Sequence, residues 1–551
     1  MAKAISKPLA LAVAVGLTLG GSFGAGAPAF AQENDVPAAN EGLPSGVTPE
    51  DLENLVGTTQ ALPGASLIPA DDVFSLTIHK RVNASNPMDA TGEVQNASGD
   101  PLPGAKFKIS KVDGPNIRTQ AGLNTLVKLA NDYNTGQTDS VTTTADSHEG
   151  TTNEDGQLAF NNLAAGAYLV EETATPQGEG NTTYVKSRPF IVLLPMTNAA
   201  GTSWNNDVQV YPKNSELSIT KKVNDADKHA QNDQRSEESS KITYTLDGLV
   251  PQAPEGKELS EFVIHDSYNS DELTLTGIAD GNFAPTVELV RDGTATTIDA
   301  AAYTINSVAG PATHENGRAD DANAGFTVSF DKAGLAAAGL RGGDVVRVTV
   351  EATMLNADDQ TIENSVNESG IFREPGTQAG EEKFETPNDT VVSYIGDIRV
   401  IKEDENNNET KLAGAEFALY RCDSNPENAI QTGTTNEQGE LTFKGIHVTD
   451  WVNDAAVGSP VEYCLQETKA PDGYVTVRDE PYRINLTRES KEFQGEGRTI
   501  RRVSLTVTNL PESERPFLPS TGGMGILIVA LLGLGIIAGG VYAARRNSAK
   551  A

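Results

Sequence analysis

Short runs in which apolar and polar residues alternate recur from residue 73 to residue 511, separated by turns rich in Gly, Asn and Asp. Alternation with a period of two is typical of β-strands that turn one face toward a core. Residues 122–133 are an exception, because their apolar positions have the spacing of a helix. The pattern therefore predicts an all-β protein with little helix.

An internal repeat divides this strand-rich region. The matching pairs are LPGAKFKI (102–109) with LAGAEFAL (412–419), TTNEDGQLAF (151–160) with TTNEQGELTF (434–443), and YLVEET (168–173) with YCLQET (463–468). Three matches in the same order predict two related domains, at residues 73–214 and 396–511. The stretch between them, residues 215–395, lacks the first and third pieces but is also rich in strand patterns. We therefore expect three domains.

The N-terminal end has the pattern of a signal peptide. Lys3 and Lys7 precede a short apolar run at residues 9–19, and an A-x-A site at residues 29–31 suits signal peptidase. The alternative is a membrane anchor, for which the apolar run is short. We expect residues 1–31 to be removed. Residues 32–72, which are rich in Pro, Gly, Ala and acidic residues, are expected to form a flexible leader.

The C-terminal end, residues 512–551, contains a tether, the motif LPSTG, an uncharged run and a basic tail. The run at residues 524–544 is long enough to cross a bilayer as a helix, and the basic residues after it place the tail inside the cell. This order is similar to the sorting signal of Gram-positive surface proteins that sortases cleave. The resemblance implies a secreted, wall-anchored protein that is cleaved between Thr521 and Gly522, within Leu518, Pro519, Ser520, Thr521 and Gly522.

Charge and cysteine content narrow the class of protein. The formal net charge is −34, and without the five basic residues of the two processing segments it would be −39. Such a surface repels nucleic acid, so no nucleic-acid partner is expected. Cys422 and Cys464 are the only cysteines, and in an exported protein we expect them to form a disulfide. One bridge cannot be the main source of stability for so long a chain, so a further stabilising device is expected.

Each predicted domain opens on a strand that carries a lysine among apolar residues. Lys80 follows Leu76 and Ile78 in phase, and Lys221 and Lys402 are placed in the same way in their own domains. A buried ammonium without a partner is costly, and burial lowers the pKa of a lysine. The alternative is an edge strand from which the amine reaches water. Recurrence in all three domains favours a buried and functional lysine.

The segment YCLQETKAPDGY, residues 463–474, has the form YxLxETxAPxGY. It resembles the signature of sortase-assembled pilins and adhesins built from collagen-adhesin-type immunoglobulin-like domains. The resemblance implies three tandem β-sandwich domains, of B type, A-like type and B type. It also implies that such a domain can contain an amide bond between a first-strand Lys and a last-strand Asn, catalysed by a buried Glu or Asp.

These residue types suit that chemistry. Only a neutral amine attacks, and an apolar site favours neutral lysine. A protonated carboxyl can polarise the poorly reactive Asn amide and move protons, and a folded core holds the groups in place. No metal or other cofactor is required.

The resemblance assigns Lys402, Glu467 and Asn509 to the C-terminal domain. In the middle domain it assigns Lys221, Asp266 and Asn364, with Lys222 and Asn367 as alternatives to the first and last.

The N-terminal domain departs from the pattern. Lys80 and Glu172 are in place, but the APxGY continuation is missing and Pro212 stands at the position that corresponds to Asn509. Asn214 lies two residues later and in phase. Two alternatives stay open here: an amide bond between Lys80 and Asn214, or a salt bridge between Lys80 and Glu172.

Residues 203–214, SWNNDVQVYPKN, match the pilin motif WxxxVxVYPK at Trp204, Val208, Val210, Tyr211, Pro212 and Lys213. The resemblance implies that a pilin-class sortase joins Thr521 of one subunit to Lys213 of the next. Repetition gives a covalent fibre that carries a tip subunit, and a housekeeping sortase transfers it to peptidoglycan.

The resulting hypothesis is a structural major pilin that supports adhesion through a host receptor that the sequence does not name. The alternative is a single-copy wall-anchored or tip adhesin, which has no use for an acceptor lysine. A surface enzyme is disfavoured, because the six histidines form no recognisable catalytic motif. A calcium loop at residues 404–415 is disfavoured as well, because Glu409 and Ala415 stand where Gly and Glu are needed.

Overall fold

The structure, a computed structural model, describes residues 64–514 except for gaps at 71, 84–90, 136–140, 179, 199–201, 255, 314, 316, 356–359, 378 and 496–497. The predicted signal peptide, most of the leader, the LPSTG motif and the apolar run lie outside the described residues. Within the described part of the chain, no helix is long and apolar enough to cross a membrane. Strands dominate this part, so the predicted all-β fold is confirmed.

The chain divides into two compact units, each defined by the contacts within it. The first contains the described residues up to Asp225, together with Lys241–Thr353 and Ile362–Val392. The second contains Ala226–Ser240, Met354–Thr361 and the described residues from Ser393 onward. The division into three domains stays a prediction.

The first part of the first unit holds thirteen strands and helix α1 (Gln120–Asn134). The strands are β1 (Phe74–His79), β2 (Arg81–Val82), β3 (Asp100–Pro101), β4 (Lys106–Val112), β5 (Thr143–Thr151), β6 (Gln157–Leu163), β7 (Gly166–Ala174), β8 (Thr183–Val185), β9 (Phe190–Leu194), β10 (Met196–Thr197), β11 (Trp204–Asn205), β12 (Asp207–Val210) and β13 (Lys213–Leu217). Their sheets have the orders β12-β1-β6, β3-β2-β13-β8, β5-β4-β7-β9 and β10-β11.

The opening and closing strands of this part run side by side. β1 pairs with β12 and β2 with β13, both in parallel. Leu76, Ile78 and Val208 are buried in one core together with apolar residues of β4, β7 and β9. Helix α1, predicted from its spacing, turns Leu126 and Ala130 into that core. Its N-cap is Thr119, whose side chain accepts a hydrogen bond from the Gly122 amide. The first strand is therefore central to the fold.

The rest of the first unit holds helix α2 (Lys332–Ala338) and nearly all residues of the next eleven strands. The strands are β14 (Ile219–Asn224), β15 (Lys241–Leu249), β16 (Glu258–Tyr268), β17 (Leu273–Leu275), β18 (Thr286–Arg291), β19 (Thr294–Thr297), β20 (Thr304–Ala309), β21 (Ala324–Asp331), β22 (Val345–Met354), β23 (Thr361–Arg373) and β24 (Glu382–Glu385). One sheet has the order β14-β15-β22-β18-β19, with β17 on β22, and β20, β21, β16 and β23 follow one another in a second, with β24 on β23.

These two sheets face each other. Burial alternates along β15 and β22, as it must when one face of a sheet covers a core. The side chain of Lys221 on β14 contacts that of Asp266 on β16, which joins the two layers through the core.

A second acidic residue, Glu368 on β23, lies in the same core. It has no exposed surface, and neither carboxylate oxygen forms a hydrogen bond of ordinary geometry with a described residue. The absence of a side chain at Gly248 leaves room for it, since a Cβ there would lie 2.8 Å from Glu368 Oε2. Burial raises the pKa of Glu368 well above its usual value of 4.5, and the backbone of Ser218 only partly offsets this.

Replacing Glu368 with methionine should stabilise the protein at pH 7 by about 1–3 kcal/mol, the cost of a buried polar group without a partner. Because the pKa is higher in the folded state, the folded protein holds this proton more tightly. The stabilising effect of that proton is complete below pH 4.5 and is lost as the pH rises through the folded value. Urea unfolding of the wild type and the variant across pH 5 to 8, compared with Glu351→Met at an exposed strand position, measures both effects. Equal stability at every pH would contradict the prediction.

The second unit contains the remaining strands. They are β25 (Asp389–Asp404), which begins in the first unit, β26 (Glu416–Arg421), β27 (Gln431–Thr434), β28 (Glu440–His447), β29 (Trp451–Val452), β30 (Ala455–Ala456), β31 (Tyr463–Lys469), β32 (Tyr474–Thr476), β33 (Tyr482–Ile484), β34 (Lys491–Gly495) and β35 (Arg498–Pro511). One sheet contains β25, β35 and β32 in that order, with β28 on β25 and β34 on β35, and the other has the order β27-β26-β31-β33.

This unit repeats the arrangement of β1 and β12. β25 and β35 are parallel, with Lys402 opposite Val507 and Asp404 opposite Asn509. Val400, Phe417 and Val507 are buried in a single core. Cys422 and Cys464 are joined, which confirms the predicted disulfide.

Candidate functional site

The three lysines that the sequence places on apolar faces are buried. Lys80 and Lys402 have 0% of their surface exposed and Lys221 has 5%. An edge strand with its amine in water is therefore excluded for all three. Each amine instead lies against a carboxyl group and near an asparagine.

In the N-terminal site, Glu172 on β7 bridges the other two predicted residues. Lys80 Nζ donates to Glu172 Oε2 at 2.8 Å, and Asn214 Nδ2 on β13 donates to Glu172 Oε1 at 2.7 Å. Burial lowers the pKa of Lys80 to about 8, although the Glu172 carboxylate acts in the opposite direction. Sequence reasoning left this site open between an amide bond and a salt bridge; the geometry places Glu172 in contact with both Lys80 and Asn214.

In the middle site, Lys221 contacts Asp266 directly, and Asp266 is also hydrogen-bonded to Asn364 on β23. Burial lowers the pKa of Lys221 and raises that of Asp266, and the attraction between the two groups opposes both shifts. The alternative asparagine, Asn367, donates to Glu385 at 3.0 Å instead. The alternative lysine, Lys222, is exposed. The geometry thus favours Lys221 and Asn364.

The C-terminal site has the same plan with longer distances. Lys402 Nζ lies 3.6 Å from Glu467 Oε1 on β31, and Asn509 Nδ2 on β35 lies 3.2 Å from Glu467 Oε2. The lysine amine also donates to the Val507 carbonyl at 3.2 Å. Burial lowers the pKa of Lys402 to about 8 and raises that of Glu467. Both shifts favour the neutral amine and the protonated acid.

The three asparagines have the same environment around the side-chain oxygen. The Oδ1 atoms of Asn214, Asn364 and Asn509 are buried, and none accepts a hydrogen bond from a described residue. An Oδ1 atom without another donor can accept a hydrogen bond from a protonated acid, and such a bond polarises the amide toward attack. The arrangement can therefore hold a nucleophile, a proton carrier and an electrophile together out of water.

Lys213, the predicted acceptor, lies at the start of β13 on the side opposite Asn214. It is half-buried and lies opposite Arg81 of β2 in the parallel pair. The Arg81 amide donates to the Pro212 carbonyl at 3.1 Å, and the Asn83 amide donates to the Asn214 carbonyl at 3.2 Å. The backbone around Lys213 is therefore fixed on both sides.

The sequence did not reveal what covers the strand before Lys213. Gln209 and Tyr211 are buried, although alternation alone would turn them toward solvent. The Gln209 amide donates to the Gly92 carbonyl at 2.9 Å, and the Gln95 amide donates to the Tyr211 hydroxyl at 2.8 Å. The His79 ring stacks on Tyr211 with centroids 4.6 Å apart. No local signal in residues 91–98 predicts this non-local contact.

The other predicted half of the joint, Thr521, lies outside the described residues. The described chain ends at Glu514, in the short 3₁₀ helix Glu512–Glu514, and Asn406 hydrogen-bonds its side chain. Thr521 is seven residues further on, a stretch that spans at most about 25 Å when fully extended.

An all-β protein with internal lysine–acid–asparagine sites is what the sequence resemblance to sortase-assembled pilins and adhesins predicts. Comparisons with known proteins agree with that resemblance. Residues 71–215 match the family described as Gram-positive pilin subunit D1, N-terminal domain, and residues 396–498 match the prealbumin-like fold domain. Each match covers less than half of the chain.

Relatives and solved structures extend the likeness to most of the chain. A fimbrial subunit type 1 from Actinomyces viscosus is 27% identical over 526 residues, which are 88% of this chain and 92% of the relative. A type 2 subunit from Actinomyces naeslundii is also 27% identical, over 86% and 90%. The full-length major pilin SpaD from Corynebacterium diphtheriae is 27% identical with a TM-score of 0.58, over 81% of this chain and 99% of that one. Together these findings support a Gram-positive major pilin, a subunit of a surface pilus.

Proposed function

We propose that this protein is the shaft-forming subunit of a sortase-assembled pilus, joined to its neighbours through Lys213 and Thr521. The observation that carries the proposal is the placement of Lys213, held on a fixed strand and turned away from the core site that contains Asn214. The LPSTG motif supplies the matching acyl group on another copy. No external substrate is transformed by the subunit itself.

In this proposal, a sortase catalyses the joining of subunits. A sortase cysteine attacks the carbonyl of Thr521, the bond to Gly522 breaks, and Thr521 is held as a thioester. The neutral amine of Lys213 from another subunit then attacks the thioester, which forms an amide and releases the thiol. A housekeeping sortase transfers the base of the fibre to peptidoglycan, and a tip subunit occupies the other end. The fibre supports adhesion.

Within each subunit, the three buried sites form amide bonds without an enzyme. The carboxylate takes a proton from the lysine ammonium, and the neutral amine attacks Cγ of the asparagine. The acid returns that proton to Nδ2, the bond from Cγ to Nδ2 breaks, and ammonia leaves. The carboxylate then takes up the second proton, which the former amine nitrogen loses as the amide forms. In the N-terminal site, Glu172 touches the amine through one oxygen and the leaving nitrogen through the other.

The mass of the secreted protein should fall by about 17 Da for each internal bond, the mass of the ammonia lost. Intact-mass spectrometry of the secreted protein counts the bonds, and peptide mapping assigns them to Lys80, Lys221 or Lys402. A Lys402→Ala variant is the control, because its corresponding deficit should be absent. A mass equal to that of the unlinked chain would contradict the internal chemistry.

A further inference from the structure

The N-terminal site contains a fourth residue that the sequence did not point to. Ser187, in the turn between β8 and β9, donates to Glu172 Oε2 twice, from its backbone amide at 2.7 Å and from its hydroxyl at 2.8 Å. The same oxygen accepts from Lys80 Nζ at 2.8 Å. With Asn214 on the other oxygen, the Glu172 carboxylate, whose side chain has 0% of its surface exposed, accepts four hydrogen bonds.

These contacts bear on the proton transfer that must precede bond formation. Lys80 becomes a nucleophile only when its proton moves to Glu172. Hydrogen bonds donated to a carboxylate favour its charged form. A proton placed on Oε2 would face the Ser187 amide, which can only donate, and the Ser187 hydroxyl would have to give up its own hydrogen bond in order to accept it. The Ser187 contacts therefore hold the pair as ammonium and carboxylate.

The C-terminal site differs at this point. The Oε1 atom of Glu467 accepts no hydrogen bond of ordinary geometry from a described residue, and Lys402 Nζ is 3.6 Å away from it. Burial raises the pKa of Glu467 even though Lys402, Asn509 and Thr476 oppose the shift. The Glu467 oxygen nearest Lys402 thus lacks the two donors that Ser187 supplies to Glu172 Oε2.

We propose that Ser187 is a positioning residue that slows amide formation between Lys80 and Asn214 by stabilising the charged state of Glu172. The inference rests on the internal chemistry proposed above and adds a control on its rate at one site. In this step the bond from Lys80 Nζ to Asn214 Cγ forms and the bond from Cγ to Nδ2 breaks. Glu172 relays one proton from Lys80 to the departing ammonia and takes up the second proton that Nζ loses as the amide forms.

The test follows both bonds in newly made protein over time. The secreted protein is sampled after translation is stopped, and peptide mapping gives the linked fraction at Lys80 and at Lys402. Ser187→Ala should form the Lys80–Asn214 bond about tenfold faster than the wild type, as expected when one hydrogen bond to a charged group is lost. Ser187→Thr keeps the hydroxyl and should remain as slow as the wild type. Ser147→Ala, at an exposed strand position, is the matched control.

Each outcome decides between distinct claims. The Lys402–Asn509 bond is an internal reference and should form at one rate in all four proteins. An unchanged or slower Lys80–Asn214 reaction in Ser187→Ala, or a wild-type rate equal to that at Lys402, would overturn the role of Ser187 alone. If Lys402 stays unlinked in every protein, the internal chemistry fails and the role of Ser187 fails with it. Trypsin resistance of each variant reports that it has folded.

Discussion

Replacing Lys213 with alanine should abolish the ladder of covalent multimers while monomer continues to reach the cell surface. The reason is chemical, because the thioester at Thr521 needs a primary amine to form the next joint and alanine has none. The substituted side chain is half-buried and faces away from the core site, so the fold should be retained. Gel electrophoresis in SDS of the cell-wall fraction, with detection of this subunit, measures the loss.

Lys222→Ala is the matched control for this experiment. Lys222 is an exposed strand lysine nine residues further along the chain, so its loss should leave the ladder unchanged. A ladder that persists in Lys213→Ala would make Lys213 a bystander. It would also favour the alternative of a wall-anchored adhesin, for which no acceptor lysine is needed.

Replacing Glu467 with alanine should leave Lys402 and Asn509 unlinked and should produce a large loss of stability. The bond closes a loop of more than one hundred residues, and loss of such a cross-link costs about 5 kcal/mol in chain entropy. Intact mass should rise by about 17 Da relative to the expected linked protein, after correction for the substitution. Heat unfolding and trypsin digestion measure the stability.

Glu437→Ala provides the comparison, because Glu437 is exposed in the turn between β27 and β28. It should keep both the bond and the stability of the wild type. Should Glu467→Ala still form the bond, Glu467 would have no part in the proton transfer. If the variant is unlinked but resists heat and trypsin as well as the wild type does, the bond is not the source of that stability.

Much of this site was accessible from the sequence because its signals are local and repeated. Strand alternation placed Lys80, Lys221 and Lys402 on buried faces, and the structure confirms their burial. The in-phase position of Asn509 after Val507 likewise matches its place beside Glu467. Helix α1 and the disulfide were predicted from spacing and from the export signal. These features need no knowledge of which strands are neighbours.

The remainder depends on contacts between distant segments, for which a single sequence carries no signal. Ser187 is an ordinary loop serine until the fold places it on Glu172. Glu368 has the alternation of a core position, yet the absence of an ion-pair partner for it among the described residues is a property of the assembled sheets. Likewise, Gly92 and Gln95 cover the strand of the pilin motif through hydrogen bonds between segments more than one hundred residues apart. Sequence reasoning also left the N-terminal site open, since Pro212 breaks the match and only the geometry shows Asn214 in contact with Glu172.

The parallel pairing of β25 and β35 has a mechanical consequence. In a fibre joined through Lys213 and Thr521 as proposed, stretching pulls the start of β25 and the end of β35 in opposite directions along two adjacent strands. Their ladder of hydrogen bonds is then loaded in shear, so many bonds must fail together rather than one after another. Under the proposed chemistry, tension passes from Lys402 straight to Asn509. Residues 403–508 then carry no load, and the rest of this unit can unfold or refold without lengthening the fibre.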